Sequence, residues 1–148
     1  LAPYARLIRF VGLVPGDNSV TEQPMDPAAL PVHPEHPYDV VLAWGVLDRL
    51  TPPERVALVQ RLTEITAPGA RMYAWVSSGN ADRVHAVRST IVDAGRVEEQ
   101  PVGSPRPPGA PLLPAQVERV LSPWVVSQAF SLRVGKREYV AGKGPGSG

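Results

Sequence analysis

Several short stretches hold side chains of the types that bind ligands or break bonds. "HPEHP" sets His33, Glu35 and His36 close together, all metal-ligating types, but prolines hold the segment extended and the remaining histidine, His85, is distant. A metal site needs donors that converge, so a solvated loop is the better reading. "WVSSGN" puts Ser77 and Ser78 after an apolar run, without the glycine pattern of a nucleophile elbow and with no arguable triad. "GKGPGSG" lacks the spacing and the preceding strand of a phosphate-binding loop. Asp48 and Arg49 read as an exposed turn pair; the other reading takes them to a substrate mouth, with Asp48 as a base. With no cysteine there is no thiolate nucleophile, disulfide or zinc finger, which fits a reducing cytoplasm. No catalytic nucleophile stands out. The stretch left to explain is "AWGV", residues Ala43, Trp44, Gly45 and Val46, a glycine break directly after an apolar run.

The flanking residues say what positions that break. "YDVVLAW" is apolar on both alternations apart from Asp39, as in a strand covered on two faces of a parallel sheet. "TPPERVALVQRLTEIT" predicts a helix: Thr51 is a cap, Pro52 suits the first turn, and Glu54 completes a capping box. Its apolar face is Leu58, Val59, Leu62 and Ile65; "APGA" ends it, and a strand is expected from Arg71 to Val76. Strand, loop, helix and strand make a βαβ unit. Upstream, Leu7 to Leu13 reads as a strand, followed by a proline-dense connection up to Pro37. Downstream, residues 80–103 carry two patterns. Val84, Val87 and Ile91 have helical spacing after Asn80, while "STIVDAGRVEEQ" also reads as two strands about Asp93-Ala94-Gly95; a short helix followed by a hairpin is expected. "LPAQVERVL" is a short helix starting near Pro114. "VVSQAFSLRVGKREYVAG" is an antiparallel hairpin turning at Gly135-Lys136, with Val126, Phe130, Leu132 and Val134 on one face.

The 148 residues suffice for one domain with a real core. Hydrophobic residues make up 43% and charged residues 20%, with 15 basic against 14 acidic side chains. Such a balance, interspersed along the chain, gives no reason to expect a nucleic-acid surface. No apolar run reaches the roughly 18 residues of a membrane span, and no signal-peptide pattern is seen. The richness in Ala, Val, Arg, Gly and Pro fits a GC-rich bacterial genome.

The order of elements resembles the C-terminal two-thirds or more of a class I S-adenosylmethionine-dependent methyltransferase. "YDVVLAWGVLDRL" looks like that family's fourth strand and the loop after it, and "LVQRLTEITAPGARMYAWV" like the crossover helix and fifth strand. "FSLRVGKREYVAG" looks like the sixth and seventh strands, the last of them antiparallel. The resemblance implies an α/β fold: a Rossmann-like, mostly parallel sheet with an antiparallel C-terminal hairpin, over residues 1–143 as one partial domain; residues 144–148 read as a flexible tail by their composition. It implies S-adenosylmethionine as cofactor and methyl transfer to an acceptor that the residues do not identify. Because ligands of open α/β sheets sit at the carboxyl ends of the strands, Ala43, Trp44, Gly45 and Val46 become cofactor-pocket candidates. The other reading of Trp44 is a large core side chain capping the following helix.

The departures from the family pattern are specific. No "GxGxG" turn precedes "YDVVLAW", and the strand that would carry it is missing. Where an acidic residue normally ends the second strand and holds the ribose hydroxyls, "LIRFV" is followed by Gly12, the residue at that cofactor position. "MDPAALP" resembles the adenine-binding segment and nominates Asp26, but Pro27 has no N–H to offer the ring. Without a first strand, the Leu7 and Tyr38 strands have unpaired apolar edges, so either they pair directly or an upstream segment exists. Leu1 in place of an initiator Met favours a chain trimmed or cut from a longer one, N-terminally incomplete and inactive in this form. The competing reading is a non-catalytic Rossmann-like scaffold or partner domain that has lost cofactor binding. A third is another doubly wound enzyme using a different nucleotide, for which a wholly parallel sheet would speak.

Overall fold

The structure is a computed structural model and describes residues 30, 35–77, 84–106, 112–132 and 135–144. The expected Leu7 strand, Gly12 and Asp26 lie outside the described residues.

Strand β1 (Tyr38–Trp44) leads through a single 3-10 turn (Leu47–Arg49) into helix α1 (Pro52–Ile65) and then β2 (Thr66–Ser77). α1 starts where its sequence says: Pro52 occupies the first turn, and the Glu54 carboxylate accepts from Thr51 N–H at 2.7 Å. At its other end the Lys143 ammonium donates to the carbonyls of Thr63 (2.6 Å) and Thr66 (2.7 Å). A cation there satisfies C-terminal carbonyls and complements the helix dipole.

β1 and β2 pair in parallel, with Val41 opposite Met72 and Ala43 opposite Ala74. β2 begins five residues earlier than the expected Arg71. Thr66 already pairs with Tyr38, and the ladder then jumps to Val40–Arg71, so the Ala67-Pro68-Gly69-Ala70 stretch bulges out, with Gly69 at φ 78. The Pro-Gly pair that reads as a helix stop is therefore a bulge within the strand.

Strands β5 (Val125–Leu132) and β6 (Lys136–Gly142) complete a sheet in the order β1-β2-β6-β5. β6 is antiparallel to both neighbours, so β1, β2 and β5 share one direction and β6 alone is reversed. A reversed strand inside the sheet speaks against the wholly parallel alternative. In β5 a register shift between Val126 and Gln128 breaks the expected face. Val126 sits opposite Ala141, whereas Phe130 and Leu132 stand on the other side, opposite Glu138 and Lys136.

The region after β2 corrects the helix expectation. Val84, Val87 and Ile91 lie in strand β3 (Val84–Asp93), which pairs with β4 (Arg96–Arg106) as a separate two-stranded antiparallel sheet. The turn is the expected one: Asp93 Oδ1 accepts from Gly95 N–H at 2.9 Å. The β-branched residues Val, Thr and Ile in "VRSTIV" suit a ladder better than a helix interior. Helix α2 (Pro114–Leu121) follows as anticipated.

Both helices pack on one face of the four-stranded sheet. Leu58, Val59, Leu62 and Ile65 of α1 meet Val117 and Leu121 of α2 over Met72, Ala74, Tyr139 and Ala141. Burying such a side chain contributes about 1.5–3 kcal/mol, so this face carries the stability. The opposite face is another matter. Val40, Leu42 and Phe130 are 54%, 45% and 47% exposed. Two-sided coverage of β1 is thus not met among the described residues, where β1 also forms the sheet's edge. Among those residues no helix is long and apolar enough to cross a membrane.

Candidate functional site

Parallel pairing brings the carboxyl ends of β1 and β2 side by side, and β6 starts against the end of β2, with Lys136 opposite Ser77. The four candidate residues at the end of β1 fall into different environments. The Ala43 side chain is 4% exposed and belongs to the core beneath the sheet. Trp44 points to the other face and stacks on Trp75 of β2, ring centroids 4.8 Å apart and planes inclined by 15°. Gly45 takes φ +70, and a Cβ built on it meets no atom of the described residues within 4 Å. It is thus both the conformational break that glycine permits and an open approach to backbone. Val46 is half-buried against the core.

Asp48 is not an exposed turn residue. It is half-buried, and its carboxylate accepts from Ser77 N–H (2.9 Å to Oδ2, 3.2 Å to Oδ1) and from Ser77 Oγ (2.9 Å). The turn after β1 is therefore stapled to the last residue of β2. Ser77, unpersuasive as a nucleophile, is a donor in that staple. Behind it lies Arg55 of α1, 2% exposed, whose Nε donates to the Leu47 carbonyl at 2.8 Å. Burial lowers the Arg55 pKa below its usual value, and the nearby Asp48 charge works against that shift. Helical periodicity marked Arg55 as neither core nor site; only its position one turn before Leu58 and Val59, on the buried stripe, carries a hint.

A second group joins the mouth from sites with no motif. The Lys136 ammonium lies over the Trp75 ring, 4.9 Å from its centroid, and 3.8 Å from the Glu99 carboxylate of β4. Among the described residues, the buried indole N–H groups of Trp44 and Trp75 have no hydrogen-bond partner. Glu138 stands opposite Trp75 in the ladder, yet that N–H does not donate to it. The third tryptophan is unlike these two: Trp124 Nε1 donates to Thr63 Oγ1 at 2.9 Å and is structural. Among the described residues no three His, Asp or Glu side chains gather to hold a metal ion.

No protein-family profile and no curated protein sequence matches the chain. Its structure is similar to several solved ones. A SAM-dependent methyltransferase from Methanosarcina mazei superposes with a TM-score of 0.55 at 14% identity, over 82% of this chain and 66% of that one. The glycopeptide N-methyltransferase MtfA, complexed with S-adenosyl-L-methionine, gives 0.51 at 15% identity, over 81% and 62%. The pyocyanin biosynthetic protein PhzM gives 0.51 at 14% identity, over 79% and 32%. The chain thus spans between about a third and two thirds of the length of these proteins. The four strands expected from the resemblance are all present, with the last one reversed. The chain has the Rossmann-like fold of the class I methyltransferases.

Proposed function

We propose that this chain is the greater part of a domain that binds S-adenosylmethionine at the carboxyl end of β1 and transfers its methyl group to an acceptor. The observation that carries the reading is the break at Gly45. A left-handed glycine with open space at its Cβ position follows a strand whose parallel neighbour ends alongside it. This is where α/β sheets hold ligands. Trp44 would offer a flat indole wall and an unused N–H donor, and the backbone at Gly45 and Val46 would approach the cofactor. Ala43 contributes by packing, since its side chain faces the core. Asp26 keeps the adenine role that the resemblance implies, whereas Gly12 stands at the ribose position without a carboxylate to hold the hydroxyls.

When bound, the cofactor supplies an activated methyl on a sulfonium. That group would carry its own reactivity, held by Trp44 and the backbone at Gly45 and Val46, and a base would be needed only for an acceptor that must lose a proton. The protein's work is then alignment. Asp48 is committed to Ser77 and is better placed to hold the mouth in shape than to take that proton. The cysteine-free composition supports a cytoplasmic setting.

The test is calorimetric titration of the protein, with whatever sequence its reading frame supplies upstream of Leu1, against S-adenosylhomocysteine. Saturable binding between roughly 1 μM and 1 mM, the range of ordinary enzyme affinities, weakened in Trp44→Ala, supports the reading. Silence at millimolar ligand removes it and leaves the non-catalytic scaffold.

A further inference from the structure

The β3–β4 hairpin forms its own sheet, and an ion pair among the described residues ties it to the main sheet: Glu99 of β4 to Lys136 of β6. That lysine also lies over Trp75, which in turn stacks on Trp44. Hairpin, lysine and two indoles make one continuous row ending at the candidate cofactor pocket. We propose that Lys136 is a positioning residue, holding Trp44 in place through Trp75 and tying the hairpin to the mouth of the site through Glu99. The inference rests on the ligand-end reading given above for its functional meaning, but not for its geometry.

The physics favours a dual role. At 3.8 Å, with the two side chains 35% and 31% exposed, the ion pair is too long for a strong hydrogen bond and is open to screening. A cation over an indole adds a second modest attraction, because the ring face carries negative charge density. Neither contact suffices to freeze a long side chain; together they hold it between a carboxylate and a ring. A two-stranded sheet is marginal alone, so a link of this size matters to where the hairpin rests. Among the described residues neither indole N–H has an acceptor, so there it is stacking and the lysine, not hydrogen bonds, that orient the two rings.

The experiment compares Lys136→Gln, Lys136→Arg and the exchange Lys136→Glu/Glu99→Lys. Three readouts are taken: the far-ultraviolet exciton couplet of the stacked indoles, amide hydrogen exchange in β3 and β4, and S-adenosylhomocysteine titration. Lys136→Gln is expected to reduce the couplet, to speed hairpin exchange about two- to five-fold, and to weaken ligand binding by a similar factor. Lys136→Arg retains all three, since guanidinium also stacks on indole. The charge exchange restores hairpin protection but not the couplet, because a carboxylate over a ring face is repelled. Unchanged couplet and exchange in Lys136→Gln would overturn the proposal, as would a charge exchange that fails to restore protection. Ligand binding that is normal in Lys136→Gln would overturn the coupling to Trp44. If the unsubstituted protein binds no ligand, the methyltransferase reading fails, and the couplet and exchange data still decide the role of Lys136.

Discussion

Replacing Asp48 by alanine tests whether the mouth of the site is held by the staple to Ser77. The substitution strips two donors, the Ser77 N–H and Oγ–H, of a charged acceptor at 2.9 Å each. Hydrogen bonds to a charged group contribute about 1.5–3 kcal/mol apiece, but Ser77 is half-exposed, so water replaces part of the loss. The same carboxylate offsets the cost of burying the Arg55 guanidinium, and that compensation goes too. The sum is about 2–3 kcal/mol of stability. For a chain of this length that lowers the Tm by roughly 4–12 °C. Urea unfolding followed by circular dichroism, with matched thermal melts, measures it. Asp48→Asn, which keeps one acceptor oxygen, should cost about half as much. Ser77→Ala removes the hydroxyl contact alone, and the double variant should show a coupling of about 1 kcal/mol. A cost below about 0.5 kcal/mol for Asp48→Ala, the range of a bland surface change, would refute the staple, and strict additivity with Ser77→Ala would do the same.

Gly45→Ala should destabilise by about 1–2 kcal/mol through backbone strain, since its Cβ meets no atom of the described residues; a melt at wild-type temperature would contradict the positive φ. Lys143→Met removes the cation from two carbonyls at the end of α1 and should cost about 1–2 kcal/mol, with exchange of the last α1 amides accelerated more than that of its first turn. Leu58→Ala, at a site 2% exposed, should cost about 3 kcal/mol in urea unfolding.

Elements with local signals were legible. The capping residues of α1, its stripe from Leu58 to Ile65 and the Asp93-Ala94-Gly95 turn are all encoded within a few residues and stand as read, whereas the C-terminal turn includes Gly135 but not Lys136, which already pairs with Leu132. The errors arose where pairing partners outweigh local pattern. Thr66 looks like a helix end, but an open ladder position beside Tyr38 claims it. Val84, Val87 and Ile91 keep helical spacing, yet β4 offers hydrogen bonds along their whole length. The shift between Val126 and Gln128 inverts a face without leaving a mark in the alternation. At the site, the Gly45 break could be read because glycine is its own signal. Lys136 and Glu99 could not be, because their meeting depends on a hairpin and a strand that approach only in three dimensions.

The place of β6 has a consequence for the order in which the chain can be built. It is synthesised after every other strand of its sheet, yet it lies between β2 and β5. Until it arrives, both of those strands present bare hydrogen-bonding edges, and the end of α1 waits for Lys143, some eighty residues downstream of Thr63. Closure of this sheet is therefore a late, long-range event, slow by the logic of loop entropy. A chain stopped short of Lys136 would be no smaller domain but two open-edged pieces, prone to pair with their own kind.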